Sequence, residues 1–413
     1  MLQTKKANFG IGLAANQVGI LKRIIVLGDN KEIPEMTLVN PEIVKQSLET
    51  SEQEESCLSL PGIAGKVSRF TQVTVKATQI KNNKIKNVTL KAEGTLARVL
   101  QHEIDHLDGH LFTDAISDIK TIKSVPQPYK VVLFGAPQFS VPILNVLVQQ
   151  NWGISAVITE PDKPAGRKQI ITPPPLKLAA QKHDLLIYQP DKPSSILSSL
   201  KNLRPDLIIL TAYGKILPKE ILQTAKYGAL CIHPSLLPQY RGASPIQTAI
   251  LNGDQETGVT IFQMDEKVDH GKIIQKSKIK IENDDTYETL SKKLSVESAN
   301  LLIKTLPDYL EGKIKPKNQN EKKASYTNLI KKEDGYVPNS KFQIPNSKLL
   351  KEIERKIRAF YPWPKVWTKI DSKRVIIFKA HLEKEKLVLD TVQPEGKKSM
   401  EYQEYLKGNP KII

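Results

Sequence analysis

The alternation of apolar and polar positions divides the chain into three differently patterned stretches. Residues 1–60 are loop-rich, with short apolar runs, RIIVLG at 23–28 and MTLVNPEIV at 36–44, that read as strands. RFTQVTVKATQI (69–80) and KIKNVTLKAEG (84–94) predict a hairpin turned at Asn82 and Asn83. From Thr95 the period lengthens: Leu96, Val99, Leu100, Ile104 and Leu107 form the stripe of an amphipathic helix that stops at Gly109. SDIKTIKSVPQPY (117–129), with its prolines and weak periodicity, reads as a linker.

At Tyr129 the pattern changes to strand and helix in alternation. YKVVLFG, GISAVIT, DLLIYQP, PDLIILTAYG, GALCIHPSLL and TGVTIFQMD are apolar runs separated by helical spacers, the pattern of an open parallel sheet covered on both faces. Ligands in such sheets sit at the carboxyl ends of strands, where TAYG and HPSLLP fall. Helical text fills 287–310, EGKIKPKNQNEKK (311–323) reads as a charged linker, and KVWTKI, RVIIFKAHL and KLVLDTV predict a small β-rich module. The expected fold is multidomain α/β. It comprises a small α+β domain at 1–118, a linker at 119–129, a Rossmann-like open-sheet domain at 130–311, a linker at 312–325 and a β-rich module at 326–413.

Composition adds location and partner. With 413 residues, 39% hydrophobic and 25% charged, the chain is a soluble globular type too long for one core. Its first ten residues lack the apolar core of a signal peptide, and no apolar run approaches the roughly 18 residues that span a bilayer, so a cytoplasmic protein without a membrane partner is expected. The net charge of +17 is uneven: residues 311–413 hold 24 lysines and arginines against 13 acids, a net +11. Clustered cations of this kind bind phosphates by releasing counterions, which points to a nucleic acid.

Two cysteines, Cys57 and Cys231, are too few for a disulfide framework, so each is a ligand, a reactive group or packing. QHEIDHLDG (101–109) contains His-Glu-x-x-His on the expected helix, and the i, i+4 spacing puts His102 and His106 on one face where they can grip one cation. Cys57, in EESCLSLPG, offers a thiolate as third ligand and leaves a fourth position open for water. Glu103 can take the proton from that water and return it to a leaving amine. GIGLAANQ (10–17) has a Gly-x-Gly-x-x-Ala core, but no apolar strand precedes it, which argues against a dinucleotide fingerprint.

Those three stretches, in that order, resemble peptide deformylase. The resemblance implies that Cys57, His102 and His106 bind a divalent metal, Fe²⁺ first and Zn²⁺ or Ni²⁺ otherwise. It implies Glu103 as general acid and base, with Gln17 and the backbone N–H of Leu58 holding the formyl oxygen of an N-formylmethionyl peptide, a nascent chain at the ribosome among them. Two departures are visible. Ser56 stands where the family has glycine, and only nine residues precede GIGLAANQ, so the domain is expected to lack the family's N-terminal helix.

In the second stretch His233, at an expected strand end, and Asp269, in MDEKVDHG, make either a catalytic pair or a capping histidine and a turn aspartate. KVVLFGAPQFSVPIL, TEPDKPAGRKQ, AYGKILP, HPSLLPQYRGASPIQTAILNGDQETGVTIFQMDEKVDHG and RKIRAFYPWP resemble methionyl-tRNA formyltransferase across 130–413. The family moves a formyl group from 10-formyltetrahydrofolate to initiator methionyl-tRNA, and the resemblance makes His233 and Asp269 catalytic. It assigns Ser235, Leu236, Leu237 and Pro238 to the folate pocket and Lys163, Arg167 and Lys168 to a tRNA-contacting loop. It also makes the C-terminal module an OB-like β-barrel that contacts tRNA. Cys231 occupies the family's asparagine slot, whose amide donates to the formyl oxygen of the tetrahedral intermediate. A thiol is a weaker, poorly directed donor. The expectation is a bifunctional enzyme; a formyltransferase with a vestigial deformylase half and a non-catalytic basic tRNA-binding protein are the alternatives.

Overall fold

The computed structural model describes residues 1–7, 10–28, 33–81, 84–124, 129–150, 152–166, 169–344, 346–384 and 386–408. A short helix, α1 (Leu2–Ala7), leads into the first domain. Its strands are β1 (Gly12–Ala14), β2 (Ile24–Leu27), β3 (Met36–Gln46), β4 (Thr50–Cys57), β5 (Leu60–Phe70), β6 (Gln72–Lys81) and β7 (Lys84–Glu93). One antiparallel sheet runs β1-β2-β3-β6-β7. The β6–β7 hairpin pairs Gln72 with Glu93 through to Lys81 with Lys84, around Asn82 and Asn83, which lie outside the described residues.

Helix α2 (Gly94–Leu107) lays its stripe on this sheet. Ala97, Leu100 and Ile104 are buried against Ile25, Leu27, Leu38, Val73 and Val75. Burying Leu100 and Ile104 contributes about 1.5–3 kcal/mol each, which fixes the helix's rotation and turns its polar edge toward β4. The stretch that reads as a linker from residue 119 carries β8 (Lys123–Ser124), which pairs with β5 at Ile63 and Ala64. The first domain's pairing therefore continues to Ser124. Polar, weakly periodic text concealed a sheet edge.

The second domain adds β9 (Val131–Gly135), α3 (Val141–Gln149), β10 (Ile154–Ile158), the ribbon β11 (Lys163–Ala165) and β12 (Ile170–Thr172), and α4 (Pro175–Lys182). It continues with β13 (Ile187–Tyr188), α5 (Leu197–Leu203), β14 (Leu207–Thr211), α6 (Lys219–Leu222), β15 (Ala229–His233), β16 (Arg241–Gly242), α7 (Pro245–Asn252), β17 (Glu256–Gln263), β18 (Ile273–Lys280) and α8 (Tyr287–Leu310). The main sheet runs β13-β10-β9-β14-β15-β17-β18. Every residue of β9, β10, β14 and β15 is buried, as the continuous apolar runs require of strands covered on both faces. The sheet is mixed rather than wholly parallel: β17 runs antiparallel to β15 and to β18. The short connection after Gln263 allows a return strand, whereas a parallel one needs a crossover of a dozen residues or more.

Beyond α8, Lys317 pairs with Ile273, and β19 (Tyr326–Thr327) pairs with β16. The supposed linker at 312–325 thus lies on the second domain. The third unit holds α9 (Asn339–Phe342), α10 (Ser347–Ala359), β20 (Val366–Ile370), β21 (Lys373–Glu383), β22 (Lys386–Pro394), β23 (Met400–Glu401) and α11 (Tyr402–Gly408). Its four strands form one antiparallel sheet in sequence order. Ile353 and Ile357 of α10 join Ile246 and Ile250 of α7 and Val375 and Val392 of the sheet in one apolar core, so the second and third units share buried surface. Among the described residues no helix is long and apolar enough to cross a membrane.

Candidate active sites

The first site forms where α2 passes the end of β4. Cys57 Sγ lies 3.0 Å from His106 Nε2, and the two Nε2 atoms are 3.2 Å apart. One donor atom from each of Cys57, His102 and His106 falls within 4.8 Å of the others, the one such group of three among the described residues. Soft sulfur with two imidazoles suits a divalent transition metal. His102 donates its other ring nitrogen, Nδ1–H, to Glu55 at 3.0 Å, which leaves Nε2 as its ligating atom.

Glu55 is buried and accepts from Arg69 at 3.0 Å and Arg98 at 2.7 Å; Arg69 also pairs with Asp105. Burial pushes its carboxyl up, but hydrogen bonds from His102 and Arg69 and their charge outweigh this and bring it down to about 2. Burial likewise raises the Cys57 thiol, and hydrogen bonds from His102, His106 and the Ser59 N–H overcome it, lowering the thiol to about 5. The sulfur is therefore ready as a thiolate.

Glu103 is 4% exposed and its Oε2 has no hydrogen-bond partner, a buried acceptor whose charge interacts with His102, His106 and Cys57. Burial raises it to about 7, against the pull of His102 and His106. Gly12 makes room for it: a Cβ there would stand 2.2 Å from Glu103 Oε1. Gln17 accepts the Ala14 N–H at 2.8 Å and turns its amide nitrogen to Ser59 Oγ at 3.0 Å and Cys57 Sγ at 3.6 Å. Leu58 is the half-buried turn residue directly after Cys57. The donors, the carboxylate with its one free oxygen and the Gln17 amide fit a metal-dependent hydrolytic site.

The second site opens at the carboxyl ends of β14 and β15, in a cavity of about 600 Å³ lined by Tyr213, Cys231, His233, Phe262, Asp269 and Leu329 among others. His233 closes β15 and is 5% exposed. Its Nε2 lies 2.8 Å from the Tyr240 carbonyl, which can only accept, so Nε2 carries the proton and Nδ1 faces Asp269 Oδ2 at 3.6 Å. Asp269 accepts the Gly242 N–H at 2.7 Å and sits at φ +47°, left-handed for a residue with a side chain. Cys231 is buried among Phe134, Tyr213, Leu237 and Phe262. Burial, and then the negative charge of Asp269, raise its thiol well above the ordinary value, so it stays protonated and is a poor nucleophile.

The SLLP residues do not line that cavity. Ser235 and Leu237 are fully buried, Ser235 Oγ donates to the Gln239 carbonyl at 2.6 Å, and Leu236 packs beside Gly258. Leu237 and Pro238 are joined by a cis peptide. Lys163 is exposed on β11 and paired with Glu160 at 2.6 Å; Arg167 and Lys168 lie outside the described residues. Sequence reasoning missed Glu55, whose signal was a carboxylate two places before Cys57 on one strand face. It also missed Tyr213, 1% exposed with an unpartnered hydroxyl, and Arg241, fully buried.

A Cys–His–His cluster on one fold and a His–Asp cavity on another give the chain two separate candidate sites. The family models agree: Polypeptide deformylase matches residues 1–121, Formyl transferase 129–306, and Formyl transferase, C-terminal domain 339–387. The methionyl-tRNA formyltransferase of Bacillus subtilis is 36% identical over 306 residues, covering 68% of this chain and 94% of its own length. That of Geobacillus is 39% identical with the same coverage. The solved methionyl-tRNA formyltransferase of Clostridium thermocellum aligns with a TM-score of 0.45 at 17% identity, over 64% of this chain and 98% of its own. From residue 129 onward the chain belongs to the methionyl-tRNA formyltransferase family, joined to a polypeptide deformylase domain.

Proposed function

We propose that this chain is a cytoplasmic enzyme that transfers formyl from 10-formyltetrahydrofolate to the amino group of methionine on initiator tRNA. We propose further that its N-terminal half hydrolyses the formyl group from N-formylmethionyl peptides. The observation that carries the first part is the facing pair His233 and Asp269 in one cavity at the strand ends, within the family match. The amine nitrogen attacks the formyl carbon, and Asp269 accepts the amine's proton directly or through a water. The carbon's bond to the folate nitrogen then breaks, and that nitrogen is protonated. His233, once protonated on both ring nitrogens, stabilises the oxyanion, with Cys231 in the slot of a second donor. We assign the 235–238 turn, in which Ser235 and Leu237 are buried and Leu236 and Pro238 half-buried, to the folate-side wall. Lys163, Arg167, Lys168 and the C-terminal sheet, which we take as part of an OB-like barrel, are assigned to the tRNA. Stacked cations on and beside that sheet, Arg374 over Trp367 at 4.8 Å and Lys365 over Phe378 at 4.1 Å, suit a phosphate-rich partner.

In the N-terminal half Cys57, His102 and His106 would hold the divalent metal, Fe²⁺ foremost. When bound, the metal acts as a Lewis acid that makes water a nucleophile near neutral pH. Glu103, held near pH 7 by burial, takes a proton and returns it to the leaving amine. The Gln17 amide and Leu58 N–H hold the formyl oxygen. The convergence of all three donors and Glu103 favours an active over a vestigial domain.

The test uses the full-length protein. Formyl transfer from 10-formyltetrahydrofolate to initiator methionyl-tRNA, formate release from a formyl-methionyl peptide and metal content are measured together. Absence of transfer in both the protein and Cys231→Asn would remove the first half of the proposal. A metal-replete protein inert toward formyl peptides would remove the second.

A further inference from the structure

The charged stretch after α8 is laid across the second site as a strap. Lys317 exchanges both backbone hydrogen bonds with Ile273 at 2.8 Å. Gln319 then donates both hydrogens of its amide into the loop that carries Asp269, one to the Asp269 carbonyl at 2.9 Å and one to the Gly271 carbonyl at 2.8 Å. Its own Oε1 accepts from Arg241 Nη2 at 2.7 Å. Glu321 clasps the same guanidinium through both oxygens, at 2.7 and 3.0 Å. Ser325 receives the Arg241 N–H at its carbonyl and the Tyr240 N–H at its hydroxyl, 2.8 and 2.9 Å. Tyr326 and Thr327 complete the strap by pairing with Arg241 and Gly242.

The anchors from Gln319 to Thr327 bear on the 240–242 turn and the 269–271 loop, which face His233 and Asp269. Tyr240 supplies the carbonyl that orients the His233 ring, and Gly242 supplies the N–H that holds the Asp269 carboxylate. Asp269 itself occupies a left-handed backbone conformation, which persists only where surrounding contacts over-determine it. The two amide donors of Gln319 are such contacts. Arg241, with no exposed surface, would be a buried lone cation without Glu321.

We propose that Gln319 and Glu321 are positioning residues for formyl transfer, setting the His233–Asp269 geometry from the segment that joins the catalytic unit to the C-terminal unit. The inference rests on the formyl-transfer reading above. Glu321 acts through Arg241 and the 240–242 turn; Gln319 acts on the 269–271 loop directly. Neither lines the cavity, so substrate binding is expected to survive their loss while turnover falls.

The experiment compares the full-length protein with Gln319→Ala, Gln319→Glu, Glu321→Ala and Glu321→Gln, each also in the Cys231→Asn background, with thermal melting as a folding control. Displacing reacting groups by about 1 Å costs on the order of 10²-fold, so kcat is expected to drop about 10- to 100-fold in Gln319→Ala and Glu321→Ala, with KM for folate and tRNA within about 3-fold. Gln319→Glu keeps the shape but loses both donors and should be as slow as alanine; Glu321→Gln keeps an acceptor for Arg241 without the charge that offsets it and should fall between the alanine variant and the parent. Folded variants with parental kcat, a change confined to KM, or full activity in Gln319→Glu would overturn the inference while leaving formyl transfer intact. No transfer in either parental background would instead overturn the reading beneath it, and the inference with it.

Discussion

The two sites in this chain are assembled in opposite ways. At the first, two donors come from successive turns of α2 and the third from the end of β4, while the supporting Glu55 stands two residues from Cys57. At the second, His233 ends a strand, Asp269 sits in a left-handed loop, and a distant polar segment holds both in place. A helix-borne site inherits its geometry from backbone periodicity, whereas a loop-borne site needs dedicated contacts. The first should therefore tolerate distant change and fail on loss of a ligand; the second should respond to single donors and acceptors around it.

The largest separation between them should come from the metal. Stripping it with a chelator, or replacing His106 with alanine, is expected to lower formyl-peptide hydrolysis at least about 10³-fold and leave formyl transfer unchanged. Paired assays with metal analysis check this, and a parallel fall in transfer would break the contrast. Next in size is Cys231→Asn. Restoring an amide donor where a protonated thiol now stands should raise the kcat of formyl transfer by about 10²- to 10³-fold, read from steady-state kinetics.

Glu55→Gln sharpens the first site. It removes the charge facing Arg69, Arg98 and His102, so metal affinity should fall about 10- to 100-fold in a competitive titration. Arg98, left without its anion, and Arg69, left with Asp105 alone, should cost the first domain about 3–5 kcal/mol, read from urea unfolding of the full chain followed on that domain. The smallest effect belongs to Lys163→Ala. This exposed side chain already shares its charge with Glu160, so a rise of about 3-fold in KM for tRNA and a salt slope lower by about 1 are expected.

How much was legible follows the range of the interactions. The β6–β7 hairpin, the α2 stripe and the apolar strands of the second domain were readable because periodicity records burial locally. The direction of β17 was not, since an apolar run has no polarity; only the short connection to β18 hinted at it. Residues 312–325 read as a linker because lysine-rich text without a period normally stays in water. Here the partners of Gln319 and Glu321 lie in remote parts of the chain, and nothing local announces them. The C-terminal +11 excess was visible in composition, but not that α10 would share a core with α7.

The sequence by itself determined which side chains could meet on one helix face, where strands would end, and which families the motifs belong to, because these depend on spacing along a regular backbone. Only the tertiary structure decided that Cys231 is a buried neutral thiol, that Glu103 has an unpartnered oxygen, and that Gln319 and Glu321 brace the His233–Asp269 pair. Protonation, satisfaction of polar atoms and loop geometry are set by the nearest atoms in space, and those come from segments whose proximity no local pattern encodes.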